Sequence, residues 1–487
     1  MEALDWLVIG VFFLALIGII VWVVRQKQND SADYFLGGRD ATWLAIGASI
    51  FASNIGSEHL IGLAGAGASS GMAMAHWEIQ GWMILILGWV FVPFYTRSMV
   101  YTMPEFLERR YNPQSRTILS VISLVSYVLT KVAVTVYAGG LVFQQVFGIK
   151  ELWGIDFFWI AAIGLVVLTA LYTIFGGMKS VLYTSVLQTP ILLLGSLIIL
   201  VLGFKELGGW DEMMRVCGAV TVNDYGDTMT NLIRSNDDAN FPWLGALIGS
   251  AIIGFWYWCT DQFIVQRVLS GKNEMEARRG TIFGAYLKLL PVFLFLIPGM
   301  IAFALHQKYI GAGGEGFLPT LANGTANADA AFPTLVAKLL PAGVKGLVVC
   351  GILAALMSSL ASLFNSSAML FTIDFYKRFR PETPEKKLVG IGQVATVVIV
   401  ILGILWIPIM RSVGDVLYTY LQDVQSVLAP GIAAAFLLGI CWKRTSAQGG
   451  MWGLIAGMVI GLTRLRCKSI LQQCGRSSRF YIQIFVL

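Results

Sequence analysis

Residues 51–67, FASNIGSEHLIGLAGAG, set Asn54, Ser57, Glu58 and His59 inside an otherwise apolar run that begins ATWLAIGASI. Gly56, Gly62, Gly65 and Gly67 interrupt the same run. Further charges fall within other long apolar runs: Glu78, Lys131, Asp261, Lys288 and Asp423. Gln188, Ser358, Ser359, Ser362, Asn365 and Gln422 add uncharged polar groups there. Ionisable groups inside a hydrocarbon layer are costly, so such residues are functional candidates by default. For Lys131, Asp261 and Gln188 an internal salt bridge or helix-to-helix hydrogen bond is an equal alternative. Asp261 with Arg267 reads as a pair at the end of a helix.

Two kinds of chemistry are within reach of this set. In LAALMSSLASLFNSS, residues 353–367, the Ser358 and Ser359 hydroxyls and the Ala355 carbonyl share one helical patch. A helix broken at 52–59 would free the carbonyls of Ala52 and Ile55, making five neutral oxygens. Such a cage suits a hard monovalent cation that must leave again; close packing of small residues is the competing reading. FWYWCTDQ, residues 255–262, holds Trp256, Tyr257 and Trp258 near the middle of a run rather than at its end. That position favours a stacking wall for a ring over an interfacial aromatic belt. ASNIGSEH and FWYWCTDQ lie five apolar runs apart, as expected of an inverted repeat with one discontinuous helix in each half. Irregular backbone at membrane depth is tolerated only where it lines a cavity or is buried in protein.

The elements that position these groups are membrane spans. Of 487 residues, 57% are hydrophobic and 13% charged, about half the charge of a soluble domain, and the mean hydropathy is +0.73. Leu7–Val24 is long and uncharged, and MEALDW before it is acidic, unlike a cleaved signal. Ten more spans are expected at 41–67, 78–96, 117–145, 155–174, 181–203, 242–266, 280–304, 339–374, 388–410 and 416–441. With the N-terminus outside, the inner loops carry nineteen Lys and Arg and the outer loops six, which sets that orientation in a cell membrane. A net charge of +6 calls for no nucleic acid or other polyanion. The six cysteines show no metal spacing. After 441, residues 442–463 read as a partial further helix that Arg464 stops, and 464–487 as an atypical basic tail, truncated or frame-shifted.

Nearly all of residues 7–460 resembles the solute:sodium symporters, and within them the sodium/glucose cotransporters. FASNIGSEHLIGLAGAGASSG, TMPEFLERRY, WYWCTDQFIVQRVLSGKN, GAYLKLLPVFLFLIPGMI, LMSSLASLFNSSAMLFTIDFY and GIAAAFLLGICWKR carry the resemblance. It implies an all-α membrane protein with a LeuT-like five-plus-five inverted-repeat core at 41–441. A first helix and cytoplasmic loop, 1–40, precede the core. It implies a sodium site on Ala52, Ile55, Ala355, Ser358 and Ser359, with Na+ as coupling ion. It places the sugar site on Asn54, His59, Glu78, Tyr257, Lys288 and Gln422, with Trp258 beside them and Tyr257 closing the pocket from the cytoplasmic side. The residues suit a hexose, which needs acceptors, donors and an apolar face. The family usually carries Asp where Ser185 stands, so one sodium per sugar is expected. The activity implied is symport rather than enzymatic catalysis, by a chain that works as a monomer. A symporter for another solute, such as an inositol or an amino acid, and a non-transporting sugar sensor are the alternatives.

Overall fold

The computed structural model describes residues 1–26, 28–56, 58–238, 240–321, 324–412 and 417–473. The side chains of 410–423, 465 and 467–473 lie outside that description. The described chain is a bundle of long helices, with one two-residue hairpin, Glu151–Leu152 against Ile155–Asp156. Helices dominate because a span in hydrocarbon must satisfy its own backbone groups. Ala3–Val24, 22 residues long, shows why these are spans: Leu7, Val11, Leu14 and Ile17 are each more than half exposed. An apolar face turned outward at that length belongs in a bilayer.

Each expected apolar run falls on helix. Two of them, 155–174 and 181–203, are joined in one element, Phe157–Leu207, which breaks at Gly177 (φ 54°, ψ −147°). A side chain there would sit 2.4 Å from the Tyr34 carbonyl oxygen, so the turn requires glycine. Of the run expected at 339–374, Leu339 closes the short helix Ala331–Leu339, and the rest is Val344–Met369 continued by a π turn, Leu370–Tyr376. The tail differs from expectation. Arg464 does not end a helix; the helix Ala447–Gln473 continues through it, since Arg is a good helix former and its long side chain can extend toward water.

Two helices are discontinuous. Trp43–Asn54 stops at Ile55, whose backbone is extended (ψ 110°), and helix resumes at Glu58–Leu63 with a wide π turn before Ala64–Ser70. Trp243–Gly254 runs into a π turn, Phe255–Thr260, then an extended Asp261 (ψ 127°), then Gln262–Leu269. The Asp261 carboxylate caps the restart by accepting from the Phe263 N–H at 3.2 Å. Val344–Met369 runs unbroken, buried along nearly its whole length, and packs on Phe157–Leu207 and Trp43–Asn54.

On the other side of the first break, Ala64–Ser70 touches Ile297–Gly311 backbone to backbone. A Cβ on Gly299 would lie 1.9 Å from the Ala64 carbonyl oxygen, and one on Gly67 would lie 2.3 Å from that of Leu296. Small residues allow this approach, as is usual between helices in lipid. A loop segment ties onto the same helix end: Met72 N–H donates to Met229 O at 2.7 Å, and Arg234 donates to Ser70 O. Burial alone would raise the Asp238 carboxyl beside Arg234. Its bonds to Asn223 and to the N–H groups of Phe241 and Asn240, with the Arg234 charge, hold it below the usual carboxylate range. Gly299→Ala should force these helices apart and cost about 1–3 kcal/mol or more. A lower unfolding temperature of the purified protein, read by intrinsic fluorescence, is the expected outcome.

Candidate functional site

The break at Ile55 exposes carbonyl oxygens, and a hydroxyl from the facing helix meets them. Ser359 Oγ sits 2.9 Å from Ser53 O and 3.1 Å from Ile55 O. Beside it, Ser358 Oγ is 3.4 Å from Ser185 Oγ, which donates to Val181 O at 2.6 Å and lies 3.4 Å from Ser49 Oγ. Ser53 and Ser362 hydroxyls meet at 2.7 Å. Ala52 and Ala355 are buried in the two helices that these contacts join. The cluster offers only uncharged oxygens. Carbonyl and hydroxyl oxygens of this kind can replace part of the water shell of a small cation.

On the other flank of the break, three charged or titratable side chains converge. Glu78 Oε2 is 2.6 Å from Lys288 Nζ, Glu78 Oε1 is 3.2 Å from His59 Nε2, and Lys288 Nζ is 2.9 Å from the same His59 nitrogen. The Lys288 ammonium also stands 5.6 Å from the centre of the Trp258 ring. Asn54 Nδ2 donates to the Tyr257 hydroxyl at 3.0 Å, linking the two broken helices. These groups line a cavity of about 40 Å3. Ligand pockets commonly measure about 300–1,000 Å3, so this one is contracted. The Asn54 Oδ1 and His59 Nδ1 atoms are buried without partners among the described residues. They are free to meet hydroxyl groups.

Asn54, His59, Glu78, Tyr257, Trp258 and Lys288, expected together from the sequence, are gathered here. Gln422 lies outside the described side chains. Gln425 lines the cavity and, three residues on, shares its helical face. Sequence reasoning also missed Trp77 and Gln80. Trp77 adjoins Glu78, and neither carries a charge that would single it out.

Asp261 does not pair with Arg267. Its carboxylate holds Lys131 Nζ at 2.7 Å and accepts from the Tyr127 hydroxyl. The Lys131 ammonium lies 4.8–5.4 Å from the ring centres of Tyr127, Trp256, Tyr257 and Phe263. Charge on a half-exposed helix end would favour the nearer arginine; inside the bundle the fixed lysine across the interface wins. Arg267, placed among loop charges by its sequence position, is fully buried. Its Nε donates to Ser53 Oγ at 3.0 Å, while both terminal nitrogens lack partners among the described residues. Gln188, for which a helix-to-helix hydrogen bond was an alternative, has neither amide atom paired among the described residues.

The profile of the sodium:solute symporter family matches residues 34–457. The chain belongs to that family. Sodium/myo-inositol cotransporter 2 of Homo sapiens is 38% identical over 479 residues, 96% of this chain and 70% of the relative. Sodium/glucose cotransporter 4 of Danio rerio is 37% identical over 482 residues, 96% and 72% respectively. Among solved structures, a substrate-bound, outward-open Na+-coupled sialic acid symporter superposes with a TM-score of 0.77 at 21% identity, covering 95% of this chain and 98% of that one. MhsT in complex with L-phenylalanine does so at 0.55 and 12%, covering 87% and 98%. The symporter is thus an all-helical, multi-pass membrane protein of the LeuT-like fold, with sodium as coupling ion.

In this symporter, Glu78 and Lys288 neutralise each other out of water. Removing one partner of a buried pair costs about 3–5 kcal/mol, whereas removing both charges is often near neutral. Lys288→Met should therefore destabilise the protein more than Glu78→Gln with Lys288→Met. Thermal unfolding of the single and double variants tests this. Equal stabilities would show that the two charges are not coupled.

Proposed function

We propose that the solute is a six-membered polyhydroxylated ring, a hexose of the glucose or galactose kind or an inositol, taken up with sodium. The observation that carries this reading is the Glu78–Lys288–His59 cluster beside the Asn54–Tyr257 bond and the Trp258 ring. Glu78 accepts hydroxyl protons, Lys288 donates to hydroxyl oxygens, and Asn54, His59 and Gln422 do both. Tyr257 and Trp258 cover the apolar ring face. Hydrogen bonds to charged groups are worth about 1.5–3 kcal/mol each, so a few of them orient a neutral ring. The cotransporters of inositol and of glucose among its relatives support both ring types equally.

Sodium binds in this reading at Ala52, Ile55, Ala355, Ser358 and Ser359. It bridges the first broken helix to Val344–Met369 and favours a site open to the outside. Solute binding closes the outer side, and Tyr257 yields on the cytoplasmic side to release the cargo inward. The N-terminus lies outside a cell membrane, and the monomer suffices. The 41–441 segment is the transport core. Ser185 presents a hydroxyl already bonded to Val181 O, a poor substitute for a carboxylate in a second ion site, so one sodium accompanies each solute.

Sodium-dependent uptake of labelled myo-inositol, glucose and galactose into proteoliposomes tests the reading; uptake of none would overturn it. Ser359→Ala should raise the sodium concentration for half-maximal uptake about tenfold or more, since it deletes one oxygen of the cage. An unchanged sodium dependence at equal protein level would refute the ion site. Reversal potentials in the same vesicles should give one sodium per solute, and a ratio near two would show another ion site.

A further inference from the structure

Gln188 lies deep in Phe157–Leu207, 1% exposed, and neither its Oε1 nor its Nε2 has a partner among the described residues. A buried polar group left unbonded is costly, so a polar species has to complete this one. Its place shows which. Ser185 Oγ lies 3.4 Å from Ser358 Oγ. A Cβ on Gly351 would lie 3.2 Å from Leu192 Cα, and one on Gly195 3.3 Å from Val348 Cα. Numbers rise on one helix as they fall on the other, so the two run antiparallel and residue 188 falls opposite residue 355. Residues 185, 188, 192 and 195 share one helical face, the face packed on Val344–Met369. From the next position, Thr189 Oγ1 donates to Ala48 O at 3.1 Å, one turn before Ala52. Gln188 thus stands between Ala355 and the turn that leads to Ala52.

An amide offers an uncharged acceptor oxygen and a donor nitrogen, and rotating the group exchanges them. The oxygen is of the same kind as the backbone carbonyls of Ala52 and Ala355, and it suits a cation shared with them. The nitrogen suits an acceptor. Ser185 Oγ, one turn back on the same helix, gives its own hydrogen to Val181 O and keeps its lone pairs for a donor. One orientation of the amide therefore serves both needs when a cation is bound. A buried water would satisfy the amide with no link to sodium, and the two cases differ in what loss of the amide does.

We infer that Gln188 is an ion-binding residue that gives its amide oxygen to the sodium held at Ala52, Ile55, Ala355, Ser358 and Ser359. This rests on the ion site read at those residues, and a cage drawn from two helices becomes one drawn from three. Gln188→Leu roughly keeps the volume and removes both polar atoms. The unfolding temperature of the purified full chain is read in sodium chloride and in choline chloride of equal concentration. Proteoliposomes give the sodium concentration for half-maximal uptake of myo-inositol or glucose, and the solute KM at saturating sodium. Gln188→Leu should raise the sodium requirement about tenfold and shrink the sodium-induced rise in unfolding temperature, with the solute KM at saturating sodium unchanged. An amide completed only by water gives another result: unfolding shifts alike in both salts and the sodium requirement stays the same. That result overturns the assignment. Ser359→Ala, measured in parallel, separates the two readings. If it raises the sodium requirement and Gln188→Leu does not, the inference on Gln188 alone falls; if neither does, the ion site falls with it. Should Gln188→Leu not fold, Gln188→Asn withdraws the amide by one methylene. A smaller rise in the sodium requirement is then expected, and no change overturns the proposal.

Discussion

A helix cannot stop in hydrocarbon without stranding its carbonyls and amides, and the arrangement of this protein follows from that constraint. At Ile55 the stranded oxygens are met by Ser359 from a helix that is itself continuous. At Asp261 the restart is capped by that residue's own side chain, and the Cys259 carbonyl is taken by the Tyr95 hydroxyl at 2.7 Å. The two breaks touch through Asn54 and Tyr257. One interruption thus presents uncharged oxygens on one flank and a charged cluster on the other. The proposed ion and solute sites lie on opposite sides of the same few residues, so a shift in that backbone would reach both.

The partners differ in stiffness. Val344–Met369 is straight, buried and wedged between Phe157–Leu207 and Trp43–Asn54. The broken helices carry π turns and extended residues, whose backbone bonds are fewer and easier to rearrange. Glycines at Gly67 and Gly299 let one half of the first broken helix lie directly on its neighbour's backbone. Rigid hydroxyls therefore face an adaptable carbonyl edge, and the contracted cavity of about 40 Å3 lies where the adaptable pieces meet.

The spans and the site differ in how much of them the sequence shows. Long uncharged runs and the loop charges reveal the spans because the bilayer imposes one simple period on all of them. Asn54, His59, Glu78 and Lys288 stand out because each is polar where polarity is costly. Arg267 and Gln425 do not: the first sits where a loop charge would sit, and the second is one helical turn from a better-marked glutamine. The pairing of Asp261 with Lys131 was out of reach of spacing arguments, since it joins helices 130 residues apart. Likewise the helix through Arg464 follows from residue propensities that outweigh a charge at a helix end.

The buried ions around the breaks have a further electrical meaning. Lys131, Lys288 and Arg267 face Glu58, Glu78 and Asp261. Three basic side chains thus stand against three acidic ones. A charge moved across a membrane exchanges about 2.3 kcal/mol per 100 mV with the field. A neutral set can rock within the bilayer with little such exchange, leaving the transported ion as the main charge on which the voltage does work. A balanced set would leave the carrier's own rearrangement nearly blind to voltage, with the potential entering at the ion-loaded step.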